Sequence, residues 1–338
     1  MERMKIAVDI MGGDNAPQAV LDGCRLALPE MPESVRLLLY GDGTVIRDAF
    51  PENDPLRARI EIVPTTEVVS CEESPTAAVR KKKDSSLVRA IADVSAGQAD
   101  CIVSAGSTGA LLTGATLIIR RQSKVKRPAL AALLPSATGC VMLIDSGANT
   151  DCKPQYLPQF AVMGTAYMRG VMGVSTPRVG LLSNGQEREK GNELTKAAYP
   201  LLEQTPVNFV GSCEARDVLS GQFDVVVCDG FDGNIVLKGA EGVVSLTIGM
   251  LKQSLYGSVR GKLGALIAKP AFSALKKKLD YAEYGGAPLL GVSGGVIKAH
   301  GSSSAKAFKY AILQAYRLID ANVIGIVGET IAALPEMD

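Results

Sequence analysis

Tryptophan is absent from this chain of 338 residues, histidine occurs once, as His300, and aromatic residues make up only 5%. Stacking platforms for bases are therefore scarce. Lys+Arg 36 against Asp+Glu 35 leaves a net charge of +1, so no global field favours nucleic acid and any electrostatic recognition must be local. The seven cysteines (Cys24, Cys71, Cys101, Cys140, Cys152, Cys213, Cys228) contain no C-x-x-C pair. Cys101, Cys140 and Cys228 fall inside apolar runs, which reads as buried thiols in a reducing compartment. One histidine leaves no histidine-rich metal spacing. Asp9, Asp14, Asp145, Asp229 and Asp232 have the chemistry to gather magnesium, but as turn residues and helix caps they need no metal, and none is expected. No G-x-G-x-x-G follows the first apolar run and no G-x-x-x-x-G-K-[ST] occurs, so dinucleotide and P-loop readings lack their usual signal. The opening MERMKIAVDIMGGD enters a strand without the apolar core of a signal peptide. No apolar run reaches the roughly 18 residues of a membrane span, and a cytoplasmic location is the expectation.

Glycine turns are abundant, and they recur after short apolar runs. They stand in Ala7–Asn15, Cys101–Gly109, Val141–Asn149, Val179–Glu187, Val225–Asn234 and Leu289–Gly295. Continuous Val/Ile/Leu runs are the pattern of buried parallel strands, and open α/β sheets bind ligands at the carboxyl ends of such strands. Strands are predicted at 5–10, 35–39, 60–63, 101–104, 140–144, 179–182, 207–210, 225–228 and 288–292, with helical periodicity between them. The fold class is thus α/β, a mostly parallel doubly wound sheet forming a single elaborated domain over 1–338. Residues 241–284 depart from this, with helix-like sequence only. Pro270 is expected to break it into a long helix and a shorter one, a protruding helical insertion. A G-x-S-x-G match at Gly291–Gly295 lacks the acid and downstream histidine of a hydrolase triad and reads as accidental.

Six segments, AVDIMGGDNAP, SAGSTGALL, DSGANTDCKP, SNGQEREKGN, CDGFDGNIVLK and GVSGGVIKAHGSSS, resemble in order and content the bacterial phosphate acyltransferases of phospholipid synthesis. The resemblance implies transfer of an acyl group from acyl-[acyl-carrier-protein] to inorganic phosphate. It also implies a fold akin to isocitrate and isopropylmalate dehydrogenases and phosphotransacetylases, no organic cofactor, a cytoplasmic homodimer with peripheral membrane association, and delivery of acyl phosphate to a membrane-bound glycerol-3-phosphate acyltransferase.

The residues suit that chemistry on their own terms. A thioester has a good leaving group, so phosphate need only be desolvated, held against the acyl carbon and given an oxyanion-stabilising environment. Ser104, Gly106, Ser107, Thr108 and Gly109 follow a strand and open a helix, and they form the expected phosphate cradle; a plain tight turn is the alternative. In the turn after 179–182, Lys190 or Arg188 can balance phosphate charge beside Asn184 and Glu187, or the same charges can simply solvate a helix start. Asp232 and Asn234 either cap the helix after Asp229 and Gly230 or orient substrate. His300, next to Gly301 and Ser302, either protonates the departing thiolate or is structural. His300, Lys190 and Asn234 are the catalytic candidates. The resembling segments add Asp9, Gly13, Asp14, Asn15, Asp145 and Asn149 as substrate-binding candidates. No cysteine is expected to act as nucleophile.

Carrier protein is acidic in the systems this family serves, and two basic clusters offer a counterpart: Arg80–Lys83, and Lys252, Arg260, Lys262, Lys269 and Lys276–Lys278 in the insertion. Leu251, Leu255, Val259, Leu263, Leu266 and Ile267 form an apolar stripe there. A dimer interface, a carrier-docking groove and an anionic membrane surface all fit it, with dimerisation near the base and lipid at the Leu263–Leu279 tip preferred.

Overall fold

The computed structural model describes residues 4–279 and 285–335, with the backbone only between 275 and 279. Its strands are β1 (Lys5–Asp9), β2 (Arg36–Gly41), β3 (Ile60–Pro64), β4 (Cys101–Ser104), β5 (Ala129–Ser136), β6 (Gly139–Ile144), β7 (Arg178–Ser183), β8 (Asn208–Glu214), β9 (Val225–Val227), β10 (Ala287–Leu290) and β11 (Gly295–Lys298). All eleven join one sheet in the order β3-β2-β1-β4-β11-β10-β5-β6-β9-β7-β8. Pairing is parallel except at the junction, where β10 runs antiparallel to both β11 and β5, and β5 antiparallel to β6. The sheet is therefore two parallel halves of opposite direction, joined by β10 and β5.

Helices cover both faces because the strand side chains alternate. Ile6, Val8 and Val103 join a core with residues of α1 (Gln18–Ala27), α6 (Tyr156–Gly170), α11 (Ala305–Asp320) and α12 (Val323–Ala333). Ala7 and Ile102 face the other way, into a core with α4 (Ser86–Ser95) and α5 (Thr108–Gly114). Short helices α2 (Gly43–Ala49) and α3 (Pro75–Lys81) flank the first half of the sheet, and α7 (Glu193–Glu203) the second.

Nine of these strands match predicted ones to within a few residues, but β5 and β11 were not anticipated. β5 reads ALAALLPS, which has no β-branched residue and carries the helix preference of alanine and leucine; pairing on both edges overrides it. β11 is only four residues long and starts at the last glycine of the G-x-S-x-G match. That match is the connection of a β10–β11 hairpin, not the strand-to-helix elbow a serine nucleophile requires. The buried-cysteine reading needs correction. Cys24, Cys101, Cys213 and Cys228 are buried, Cys140 and Cys152 are partly so, and Cys71 is exposed, because it lies in a loop and not in an apolar run.

The helical segment also differs from expectation. α8 (Gly230–Tyr256) runs unbroken for 27 residues from the end of β9, and α9 (Val259–Ile267) and α10 (Lys269–Leu279) follow. The chain breaks at Gly257–Ser258, where Ser258 caps α9 by accepting a hydrogen bond from the Gly261 N–H at 3.0 Å. A second break falls at Ala268, between α9 and α10, where Pro270 was expected to interrupt the helix. Pro270 sits in the first turn of α10, where a missing N–H costs nothing. By length and composition α8 is apolar enough to cross a membrane, with a mean hydropathy of 1.3 in its most apolar window and none of that window buried. The short-run reading missed this because glycines and single polar residues interrupt the apolar stretch.

Candidate active site

Three turns meet at the carboxyl ends of β1, β4 and β11. The Asp14 N–H donates to Gly301 O at 2.8 Å, and Asn15 Nδ2 donates to Ser302 O and Ser303 O at 3.2 and 3.3 Å. Asp9, at the end of β1, accepts from Ser86 Oγ at 2.6 Å and from Ser104 Oγ at 2.7 Å, and Ser104 Oγ in turn accepts from the Gly106 N–H. Burial pushes the Asp9 carboxyl up from the usual range, while the two serine hydrogen bonds pull the other way. Glycine is required where these turns touch. A Cβ on Gly12 would lie 2.7 Å from the Gly106 N, and Gly13 has φ +108 against Gly301 and Ala105.

A second anchored turn follows β6. Asp145, fully buried, accepts from the N–H groups of Leu130, Gly147, Ala148 and Asn149 at 2.7–3.1 Å and from Asn149 Nδ2 at 2.7 Å. The start of α8 packs directly on this turn. The Gly230 N–H donates to Asn149 O at 2.7 Å, and a Cβ on Gly233 would fall 1.9 Å from Asp145 O. Asp229 caps α8 by accepting from the Phe231 and Asp232 N–H groups.

Between these two anchored regions lies a cavity of about 550 Å³. Its lining is mixed: Leu130, Ala132, Leu133 and Leu134 of β5 with Leu237 of α8 are apolar, while Thr108, Ser146, Asn234, Lys238, Glu241, Lys298, His300 and Ser302 are polar. Such a cavity accepts a molecule with an anionic head and an apolar tail.

The sequence profile described as "Fatty acid synthesis protein" matches residues 4–325. The chain belongs to that family. A relative from Clostridium botulinum (strain Loch Maree / Type A3), named phosphate acyltransferase, is 50% identical over 321 residues, covering 95% of this chain and 96% of its own. One from Clostridium perfringens (strain SM101 / Type A), with the same name, is 50% identical over 329 residues and 97% of each chain. As a member of this fatty acid synthesis family the chain is an acyltransferase, and its chemistry is the formation of acyl phosphate for phospholipid synthesis. Solved structures agree on the fold. A phosphotransacetylase from Streptococcus pyogenes superposes with a TM-score of 0.59 at 18% identity over 94% of each chain. A 4-hydroxythreonine-4-phosphate dehydrogenase from Salmonella typhimurium does so with 0.51 at 13% identity, over 94% of this chain and 99% of its own.

In this family member the structure brings some nominated residues together and keeps others apart. Thr108, Asn234, His300, Gly301 and Ser302 line the cavity. His300 Nδ1 pairs with Ser302 Oγ at 2.9 Å and in the neutral ring accepts from the Ser302 N–H at 3.3 Å, which puts the N–H of the neutral ring on Nε2. Ser107 is buried and its Oγ accepts from the Ala110 N–H at 3.3 Å, so it serves α5 as a cap; Gly109 packs on Pro75. Asp145 and Asn149 spend their polar atoms on their own turn, and Asn149 Nδ2 also reaches Pro128 O at 2.7 Å. The cap of α8 is Asp229, so neither Asp232 nor Asn234 holds that role. Asp232, raised by burial and by the neighbouring Asp229 charge, faces a second cavity of about 520 Å³ together with Asn184, Asn192 and Arg216. The first turns of α8 thus divide the two cavities. Lys190 and Glu187 are exposed and line neither cavity, and the Lys190 N–H donates to Glu187 O at 3.0 Å. Arg188 pairs with Glu203 at 2.8 Å and lies over the Tyr199 ring.

Lys298 was not nominated from the sequence. It ends β11, is only 9% exposed and lines the cavity. The signal was present in Gly295-Val296-Ile297-Lys298, where a lysine closes an apolar strand run that must be buried. Charged side chains are almost never placed there without a use. Ser86, the second hydroxyl on Asp9, was missed because nothing local links a helix start to a residue 77 positions earlier.

Proposed function

We propose that the cavity between β5, α8 and the His300 turn is where a carrier-bound acyl thioester meets inorganic phosphate. The observation that carries this reading is that one cavity is lined both by leucines of β5 and α8 and by Thr108, Lys298, His300 and Ser302. The acyl chain lies along Leu130, Leu133, Leu134 and Leu237, and the phosphate lies among Thr108, Lys298, His300 and Ser302. A phosphate oxygen attacks the thioester carbon, the C–S bond breaks, and the departing carrier thiolate takes a proton from the His300 imidazolium, leaving neutral imidazole. Asn234 orients the carbonyl as charge develops on its oxygen. No cysteine lines this cavity among the described residues, and burial pushes the thiols of Cys101 and Cys228 well above their ordinary range, which supports direct attack. Lys190, Asn184 and Glu187 enter as a substrate-facing loop only if another copy of the chain or the carrier presents it to the cavity.

The same reading places the chain in the cytoplasm as a homodimer that touches carrier protein and, peripherally, an anionic membrane, where a glycerol-3-phosphate acyltransferase consumes the product. Support comes from the arm 241–284 beside the single α/β domain. In it Val243, Leu246, Val259, Leu266 and Ile267 are all more than half exposed, beside the exposed Lys252, Arg260, Lys262 and Lys269. Residues 280–284 and the side chains of Lys276–Lys278 lie outside the described residues. Incubation with acyl-[acyl-carrier-protein] and phosphate should give a hydroxylamine-trappable acyl phosphate. An acyl-protein adduct formed without phosphate and consumed by it would replace direct attack with a covalent route.

A further inference from the structure

We propose that Lys298 is the cation on which the phosphate rests, held in place by two turn carbonyls and keeping one ammonium proton for an anion in the cavity. The Nζ donates to Ala105 O at 3.3 Å and, in a shorter contact, to Ala299 O. An ammonium has three donors and no acceptor, so these two bonds fix its position and leave a third. Ala105 lies in the turn after β4 and Ala299 in the turn after β11, so the side chain lies where two of the three converging turns meet.

The charge balance favours a ligand over a purely structural role. A buried ammonium costs several kcal/mol unless it is paired, yet no carboxylate among the described residues forms an ion pair with it. Asp9, a buried carboxylate whose field reaches Lys298, already accepts from Ser86 and Ser104. The charged and titratable groups around Lys298 are Asp9 and Asp14 from the β1 turn, Cys71 from the loop before α3, His300 from its own turn, and Lys238 with Glu241 across the cavity on α8. Lys238 and Glu241 pair with each other at 2.8 Å. Lys298 is therefore a buried positive charge in a cavity, with no carboxylate among the described residues bonded to it.

Burial lowers the Lys298 ammonium from 10.5 to about 8, against the favourable fields of Asp9 and Asp14. Phosphate is dianionic throughout that range, so its own titration does not weaken binding as pH rises. Loss of the lysine proton does. Between about 8 and 10.5 the unfolded chain holds this proton more tightly than the folded one, so Lys298 makes the ligand-free protein gain stability as pH rises through that window. Phosphate protection should change in the opposite direction.

This inference rests on the proposed phosphate site, and the test separates the two. Phosphate should raise the thermal midpoint of the wild-type protein at neutral pH, and this protection should fade as pH passes about 8. Lys298→Met should raise KM for phosphate about tenfold to a hundredfold, as expected for one lost charge-assisted hydrogen bond, with little change in KM for acyl-[acyl-carrier-protein]. Lys298→Arg keeps its charge and should carry phosphate protection past the wild-type limit; it also decides the matter if the methionine variant does not fold. Undiminished phosphate protection in a folded Lys298→Met protein, or a wild-type protection that ignores pH, overturns the assignment. Lys298-dependent phosphate protection without any acyl phosphate product would leave it standing and overturn the proposed reaction instead.

Discussion

The turn cluster and the helical arm use opposite building rules. Around the cavity, Asp9 and Asp145 each gather several donors onto one buried carboxylate, and the glycines at Gly12, Gly106 and Gly233 let backbones come within a few ångströms of each other. In the arm, α8 and α9 leave Val243, Leu246, Met250, Val259, Leu263 and Ile267 in the open. A saturated region fixes distances, which a reaction between bound groups needs. An unsaturated region keeps its stabilisation for a second surface. In the proposed function the chemistry belongs to the turns and the association to the arm, and each half of that proposal can be broken separately.

Asp145→Ala should have the largest effect. It strips an acceptor from four backbone N–H groups and the Asn149 side chain in a fully buried turn, and a loss of about 3–5 kcal/mol is expected in urea unfolding. An effect under about 1 kcal/mol would mean that the turn is held by packing alone. His300→Ala should leave the unfolding midpoint alone, because the ring is exposed and, among the described residues, bonded only to Ser302, while turnover falls about a hundredfold. Wild-type turnover in that variant would return the histidine to a structural role. The smallest effect on catalysis belongs to the double change Leu266→Asp and Phe272→Asp. Soluble acyl transfer should persist while flotation with anionic liposomes is lost. Dissociation into inactive monomers by light scattering would instead assign the stripe to a subunit interface.

The sequence disclosed the fold where elements were chemically typical. β1, β4 and β9 are apolar runs closed by Gly or Asp, and both signals are local. β5 was illegible because alanine and leucine carry no strand signature and its identity is set by β10 and β6 on either side. The site divides in the same way. Asp9, Thr108, Asn234 and His300 were legible as polar residues in glycine turns, but the commitment of Asp145 to its own turn and the burial of Lys298 depend on which turns meet. Spacing along the chain carries no information about that meeting, since Ser104 lies 95 residues from Asp9 and Ala105 lies 193 from Lys298.

α8 makes the inside and the outside of the molecule a single rod. At about 1.5 Å per residue its 27 residues reach about 40 Å, with Leu237 on the cavity wall and Met250 and Tyr256 in the open. Ile235, Val243, Leu246 and Met250 fall at helical spacing on one side of that rod, and all four are exposed. Asn234, Leu237 and Glu241, which line the cavity, fall on the opposite side, so one helix closes the cavity with one face and keeps an apolar seam for an outside surface with the other.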